Sequence, residues 1–226
     1  KIVSILIIIA IAFRIILLLG GVFPFNSDEA VVGLMAKHIL MGERPIYFYG
    51  QAYMGSLDAY LVAAGFLIFG TKVWVIRFIQ LILLIATLCT TALLAYILFR
   101  SGISTIYSVA FMVFPTINFT LYTSVSLGGY GEALLIGNLI LITGLKISFD
   151  NKSCISHVDR TPHYLMTGIL GFLVGIGLWT SGLTLVYSIP VIVFLMYKSI
   201  MNNRACNGKN DYREYISLIV LIIGGI

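Results

Sequence analysis

The sequence predicts an all-α fold, a polytopic transmembrane helix bundle of about six full spans and a truncated seventh, with two amphipathic helices in the first outer loop. Of the 226 residues, 60% are hydrophobic and only 10% are charged, whereas soluble domains carry roughly 25% charged residues. Several apolar runs approach the roughly 20 residues that a helix needs to cross a bilayer. The basic residues stand singly at the ends of these runs, as in membrane proteins. The net charge of +5 therefore does not indicate nucleic-acid binding.

The apolar runs place the spans along the chain. Six runs occupy 2–23, 72–99, 103–121, 133–147, 164–182 and 183–197, and a seventh begins near 215. Pro115 predicts a kink in the third span, because proline removes a helical hydrogen bond. If the first span enters from the cytoplasm, most of the basic residues lie on the inner side, as the positive-inside rule requires. Segments 24–72 and 122–132 are then the first and second outer loops.

The first outer loop has start and stop signals for two surface helices. Asn26 and the two residues after it are good N-caps, and Gly42 ends the helix that they begin. A second helix begins at Ser56 and ends at Gly70. A turn-rich aromatic stretch, 46–55, separates the two helices.

Both ends of the sequence fall in apolar runs, and the first residue is not a methionine. We therefore expect residues 1–226 to be the N-terminal portion of one transmembrane domain, with a C-terminal remainder missing. The three cysteines have no C-x-x-C spacing, so they indicate neither a metal site nor a disulfide framework.

The acidic residues of the outer loops are the candidates for catalysis. Asp28 and Glu29 stand at a helix start, where a carboxylate either stabilises the helix terminus or takes a proton from an acceptor hydroxyl. Glu132 follows a glycine-rich turn and precedes a span, so it is either an ordinary interfacial charge or a second catalytic carboxylate on the same side.

Four further residues are candidates for substrate binding. Arg77, five residues into a span, is placed to clamp a phosphate, because a guanidinium matches two phosphate oxygens. Arg44 is a second outer cation, and Gln51 and Tyr53 can bond or stack on a sugar. Head-group contact and an interfacial aromatic belt are the alternatives. Arg14, inside the first span, either snorkels, faces a polar cavity or binds an anionic head group.

Three segments resemble a known family. They are SDEAVVGLMAKHILMGERPIYFYGQAYMGSLDAYLVAAGFLIFG followed by Arg77, GGYGEALLIGN around Glu132, and GLWTSGLTLVYSIP at 177–190. This pattern resembles the GT-C glycosyltransferases, in particular the protein mannosyltransferase and lipid A aminoarabinose transferase superfamily and its prokaryotic members. The three segments are spread over residues 27–190, and the first is the most specific.

The resemblance implies a membrane glycosyltransferase of the bacterial or archaeal cell membrane. Its members transfer a sugar from a polyprenyl-phosphate donor, usually with inversion, to a lipid, glycan or protein acceptor on the outer side. The family's acidic residues in the two loops match Asp28, with Glu29 beside it, and Glu132. Metal use varies among members, so no cofactor is assigned and a divalent metal stays an open option. A secondary transporter or lipid flippase and a non-catalytic subunit of the same fold are the alternatives.

Overall fold

A computed structural model of the protein describes residues 1–150 and 161–205, and the predicted seventh span lies outside these residues. The described chain is nearly all α-helical, as predicted, with one short β-hairpin. Its elements are, in order, α1 (Ile2–Leu19), α2 (Ser27–Leu40), β1 (Tyr47–Phe48), β2 (Gln51–Gly55), α3 (Leu57–Phe69), α4 (Val73–Phe99), α5 (Gly102–Val113), α6 (Ile117–Tyr122), α7 (Tyr130–Asp150), α8 (Thr161–Thr180), a 3-10 turn (Gly182–Thr184) and α9 (Leu185–Ala205).

Within the described residues, three helices are long and apolar enough to cross a membrane. They are α1, α4 and α7, the last over Tyr130–Phe149. The predicted span at 103–121 is divided: α5 ends at Val113, and α6 begins only at Ile117. Pro115 lies in this break, so it interrupts the helix where a kink was predicted. The spans predicted at 164–182 and 183–197 correspond to shorter apolar helices, so the six-span bundle stays a prediction.

The chain divides into two compact units, Lys1–Leu135 and Ile136–Ile226. In the first unit, α2, the hairpin, α3 and the start of α4 enclose one apolar core. Its buried members are Val32, Met35, Ala36, Phe48, Met54, Ala59, Val62, Ala63, Phe66, Val75 and Ile76. A second core lies among α1, α4 and α5 and contains Ala10, Leu84, Leu88, Val109 and Val113.

The first loop differs from its predicted form in two ways. The aromatic stretch forms an antiparallel hairpin, with Tyr47 opposite Gly55 and Phe48 opposite Gln51. The helix α3 is not amphipathic, because its one charged residue, Asp58, is buried while apolar residues near its C-terminal end are exposed. The helix therefore does not have an apolar side facing a core and a polar side facing solvent.

In the second unit, α7 and α9 approach closely where glycines replace larger side chains. A Cβ atom added at Gly137 would lie 2.5 Å from the ring of Tyr187. One added at Gly144 would meet Val191 in the same way. Small residues permit such close approach between helices.

Candidate functional site

The start of α2 determines the environment of the first two candidate carboxylates. The Asn26 side chain caps this helix, its Oδ1 accepting a hydrogen bond from the Glu29 amide at 2.8 Å. Asp28 and Glu29 therefore occupy the first turn, where the helix dipole favours negative charge. Asp28 is partly exposed, and none of the hydrogen bonds or ion pairs among the described residues involves its side chain. The N-cap role falls to Asn26, which leaves the Asp28 carboxylate uncommitted.

Glu29 is fully buried and forms a two-point ion pair with Arg77. The guanidinium donates from Nε to Oε1 at 2.9 Å and from Nη2 to Oε2 at 3.0 Å. Nη2 also donates to the Phe23 carbonyl oxygen at 3.0 Å. This pairing fixes the start of α2 against α4. Two Arg77 donors that were predicted to clamp a phosphate, Nε and Nη2, bind Glu29 instead.

A second buried carboxyl, Asp58 on the first turn of α3, lies at the centre of a polar cluster. Gln80 donates to its Oδ1 at 3.0 Å, and Ser126 donates to its Oδ2. Burial raises the pKa of Asp58, while its hydrogen bonds to Ser126, Glu132 and Gln80 act in the opposite direction and the charge of Glu29 adds to the increase. The net shift is upward because desolvation penalises the charged form.

Glu132, on the first turn of α7, lies beside Asp58, close enough for a hydrogen bond between the two carboxyls. Only 2% of Glu132 is exposed, and its two carboxylate oxygens receive no hydrogen bond from a donor in the described part of the chain. A carboxylate cannot donate a hydrogen bond. A hydrogen bond between the two groups would therefore need a proton on one of them, and burial away from water favours that neutral form.

The helix α4 and two glycines bring this cluster together. Arg77 and Gln80 are three residues apart, so they lie on the same face of α4. A Cβ atom at Gly131 would lie 2.7 Å from Oε1 of Gln80, and one at Gly128 would lie 2.6 Å from Cε of Met54. Gly128 also has a φ of +75°, which favours glycine. The start of α7 and the turn before it therefore pack closely against α4 and the hairpin, and a larger residue at either glycine would displace the end of the Gln80 or Met54 side chain.

The three candidates for sugar contact lie apart from this buried cluster. Arg44 precedes the hairpin and is exposed, Gln51 is half-buried, and Tyr53 is 74% exposed on β2. Among the described residues, no hydrogen bond or ion pair joins any of them to Glu29, Asp58 or Glu132. Their assignment to substrate binding stays a prediction.

His38 belongs to a small network at the other end of α2. Its Nδ1 lies 3.0 Å from the Tyr49 hydroxyl, which donates to Glu43 at 2.8 Å. The hydrogen bond to Glu43 raises the pKa of Tyr49, and desolvation adds to this increase. This network ties the hairpin to α2.

Arg14 of α1 does not snorkel. It is only 2% exposed, and its Nη2 donates to Oγ1 of Thr123 at 3.0 Å. Of the three alternatives of the sequence analysis, the burial of Arg14 argues against snorkelling alone.

The cluster contains two carboxyls, Asp58 and Glu132, for which sequence analysis predicted no partner. It assigned no role to Asp58. Gln80 and Ser126 were missed altogether. A polar residue three positions after Arg77 in an otherwise apolar helix was the available signal for Gln80. Ser126 gave no such signal, because it bonds a residue 68 positions away.

The fold and the site define a largely helical protein with three membrane-length apolar helices and a buried acidic cluster at their connecting segments. No family model matches the chain, and no significant match exists among characterised proteins or solved structures. Within residues 1–150 and 161–205, no group of three or more histidine, cysteine, aspartate or glutamate side chains is arranged to hold a metal ion.

Proposed function

We propose that this protein is a multi-pass glycosyltransferase that moves a sugar from a polyprenyl-phosphate donor to an acceptor on the outer side of a prokaryotic cell membrane. The observation that carries the proposal is the state of Asp28. Of the described acidic residues in the two loops, Glu29, Glu43 and Asp58 have hydrogen-bond partners, and Glu132 is buried. Asp28 is the one that remains accessible and unpaired, as a general base must be before substrate binds.

Asp28 accepts the proton of the acceptor hydroxyl in this mechanism. The acceptor oxygen attacks the anomeric carbon from the face opposite the phosphate, forming the new glycosidic bond as the bond to the phosphate oxygen breaks. The configuration inverts, and the polyprenyl phosphate leaves with the electron pair.

Glu29 and Arg77 act as positioning residues in this proposal. Their ion pair holds the first turn of α2, and therefore Asp28, against α4. Glu132 has a similar role, because its contact with Asp58 fixes the second loop to α3. The assignment of Arg77 to the leaving phosphate is replaced, since Nε and Nη2 already bind Glu29.

A proton-coupled transporter is the second candidate. The observation in its favour is the buried Asp58–Glu132 pair, because carboxyls held inside membrane proteins often carry protons. A carrier of this kind loses activity in Glu132→Gln and keeps it in Asp28→Asn. The glycosyltransferase loses activity in Asp28→Asn and is less sensitive to Glu132→Gln.

The test is sugar transfer by membranes containing the protein, with a panel of radiolabelled polyprenyl-phosphate hexoses as donors. Asp28→Asn preserves the size and the polarity of the side chain but cannot take the proton. We expect it to lower the rate by roughly 10²–10⁴, the usual contribution of a general base.

Glu43→Gln is the matched control, since it removes an exposed carboxylate from the same loop and should leave the rate within a factor of two or so. Normal transfer by Asp28→Asn would remove the proposed mechanism. Absence of transfer from every donor by the wild-type protein would remove the glycosyltransferase proposal itself.

A further inference from the structure

We propose that Arg14 and Ser124 form a binding site for the phosphate group of a membrane lipid. The inference rests on the proposed function in one respect, because the polyprenyl phosphate of the donor is the lipid that this site would hold. Both residues belong to the first unit, and neither was assigned to phosphate binding by the family resemblance.

The Arg14 guanidinium is held by one end and free at the other. Nη2 donates to Oγ1 of Thr123 at 3.0 Å, whereas Nη1 is buried and has no hydrogen-bond acceptor in the described residues. The Thr123 hydroxyl itself donates to the Phe119 carbonyl oxygen at 2.7 Å. Thr123 therefore fixes the orientation of the guanidinium and has no further proton to donate.

Ser124, the residue after Thr123, supplies a second buried hydroxyl in this segment. It is only 3% exposed, and its Oγ has no hydrogen-bond partner among the described residues. Its backbone is held in place, because its amide donates to the Leu121 carbonyl oxygen at 3.1 Å. The two buried donors both require an acceptor, since an unsatisfied buried polar group costs about 1–3 kcal/mol.

The acceptor must also carry negative charge. Arg14 has no ion-pair partner in the described part of the chain: Glu29 is paired with Arg77, and Asp58 accepts hydrogen bonds from Gln80 and Ser126. An isolated buried cation is strongly unfavourable. Carboxylate and phosphate both match the charge and the planar fork of a guanidinium, and phosphate is the one that membrane lipids commonly carry.

The surroundings of Arg14 indicate that the phosphate arrives from the lipid phase. Arg14 lies on an apolar helix long enough to cross a membrane, and its neighbours Phe13, Ile15 and Ile16 are 42%, 40% and 67% exposed. Such a surface is suited to acyl or isoprenyl chains. A lipid can place its chain against this surface and its phosphate at Arg14.

The experiment measures binding of farnesyl phosphate to the full chain in nanodiscs of neutral lipid, by native mass spectrometry. We expect Arg14→Gln to weaken binding at least tenfold and Ser124→Ala to weaken it severalfold. Lys37→Gln removes an exposed cation from α2 and should leave the affinity unchanged. Wild-type affinity in a folded Arg14→Gln protein would overturn the proposal.

Ser124→Ala keeps the test decisive if Arg14→Gln fails to fold, because it removes only an unpartnered hydroxyl. Unchanged binding in Ser124→Ala would then overturn the two-residue site. Inorganic phosphate and farnesol are the competing probes. Weak competition by both supports a lipid phosphate, whereas Arg14-dependent competition by phosphate at equal concentration assigns the site to free phosphate and overturns the lipid source.

Asp28→Asn separates this proposal from the proposed function. It should bind farnesyl phosphate normally whether or not it transfers sugar. Loss of transfer in Asp28→Asn together with wild-type binding in Arg14→Gln would leave the enzyme and remove this site. Absence of transfer by the wild-type protein together with lost binding in Arg14→Gln would leave a lipid-phosphate site in a protein that is not a glycosyltransferase.

Discussion

Replacing only one partner of the Glu29–Arg77 ion pair should lower the free energy of unfolding far more than replacing both. In Arg77→Met, a fully buried carboxylate loses two hydrogen bonds and its counter-charge, and the Phe23 carbonyl oxygen loses its donor. Removing one partner of a buried pair costs roughly 3–5 kcal/mol. In the double variant Glu29→Leu/Arg77→Met no charge is left behind, and we expect a change of only about 1–2 kcal/mol in either direction.

Unfolding in mixed micelles, with increasing mole fraction of sodium dodecyl sulfate, measures these differences. The two single variants and the double variant complete a cycle that isolates the coupling between the side chains. Lys72→Met, at an exposed position just before α4, is the matched control for loss of a cation. Additive effects of the two single substitutions would refute the reasoning, because they would show that neither side chain depends on the other.

The same variants distinguish a positioning role of Arg77 from direct contact with phosphate. If Arg77 only holds α2 in place, the double variant should recover most of the transfer activity that Arg77→Met loses. If Arg77 binds the leaving phosphate, the double variant should be stable and inactive. The proposed mechanism predicts recovery.

Two further perturbations test the buried cluster and the loop that joins it. Burial raises the pKa of Asp58, so the folded state keeps a proton that the unfolded state releases above about pH 3.9. The free energy of unfolding should therefore fall as the pH rises from that value through the folded pKa. Glu132→Gln removes one carboxyl and offers an amide donor to Asp58. The fall in stability with pH, measured by chemical denaturation at several pH values, should therefore become less steep. An unchanged slope would contradict the coupling between the two carboxyls. Gly128→Ala should be less stable than Gly42→Ala by roughly 1–3 kcal/mol. Both glycines have positive φ, but only the Cβ added at residue 128 meets a side chain. Equal losses of stability in thermal unfolding would show that the contact with Met54 is unimportant.

Local patterns in the sequence predicted the helices of the first loop well. Asn26 caps α2, and Gly70 follows the last residue of α3, as expected from capping preferences. Ser56 precedes α3 as predicted, but its hydroxyl donates to the Pro45 and Ile46 carbonyl oxygens instead of capping. The residue type identified the helix boundary, while a neighbouring turn determined the partner of the side chain.

The partners within the buried cluster were beyond prediction for a physical reason. Periodicity and capping act over three or four residues, whereas Arg77 bonds a residue 48 positions away and Gln80 one 22 positions away. Such pairs depend on how α2, α3 and α4 pack, which a single sequence does not specify. Sequence analysis could therefore select Glu29, Arg77 and Glu132 as unusual residues without showing that two of them bind each other.

The contact between Arg14 and Thr123 has a consequence for synthesis of the chain. The two residues are 109 positions apart, and ribosomes add roughly 5–20 residues per second. The first helix is therefore complete roughly 5–20 s before its arginine can reach the threonine. A charged residue near the centre of a membrane helix costs roughly 2.5–3.5 kcal/mol during insertion. For that interval lipid head groups, water or the insertion machinery must solvate Arg14, so the nascent helix passes through a stage less stable than its place in the finished protein.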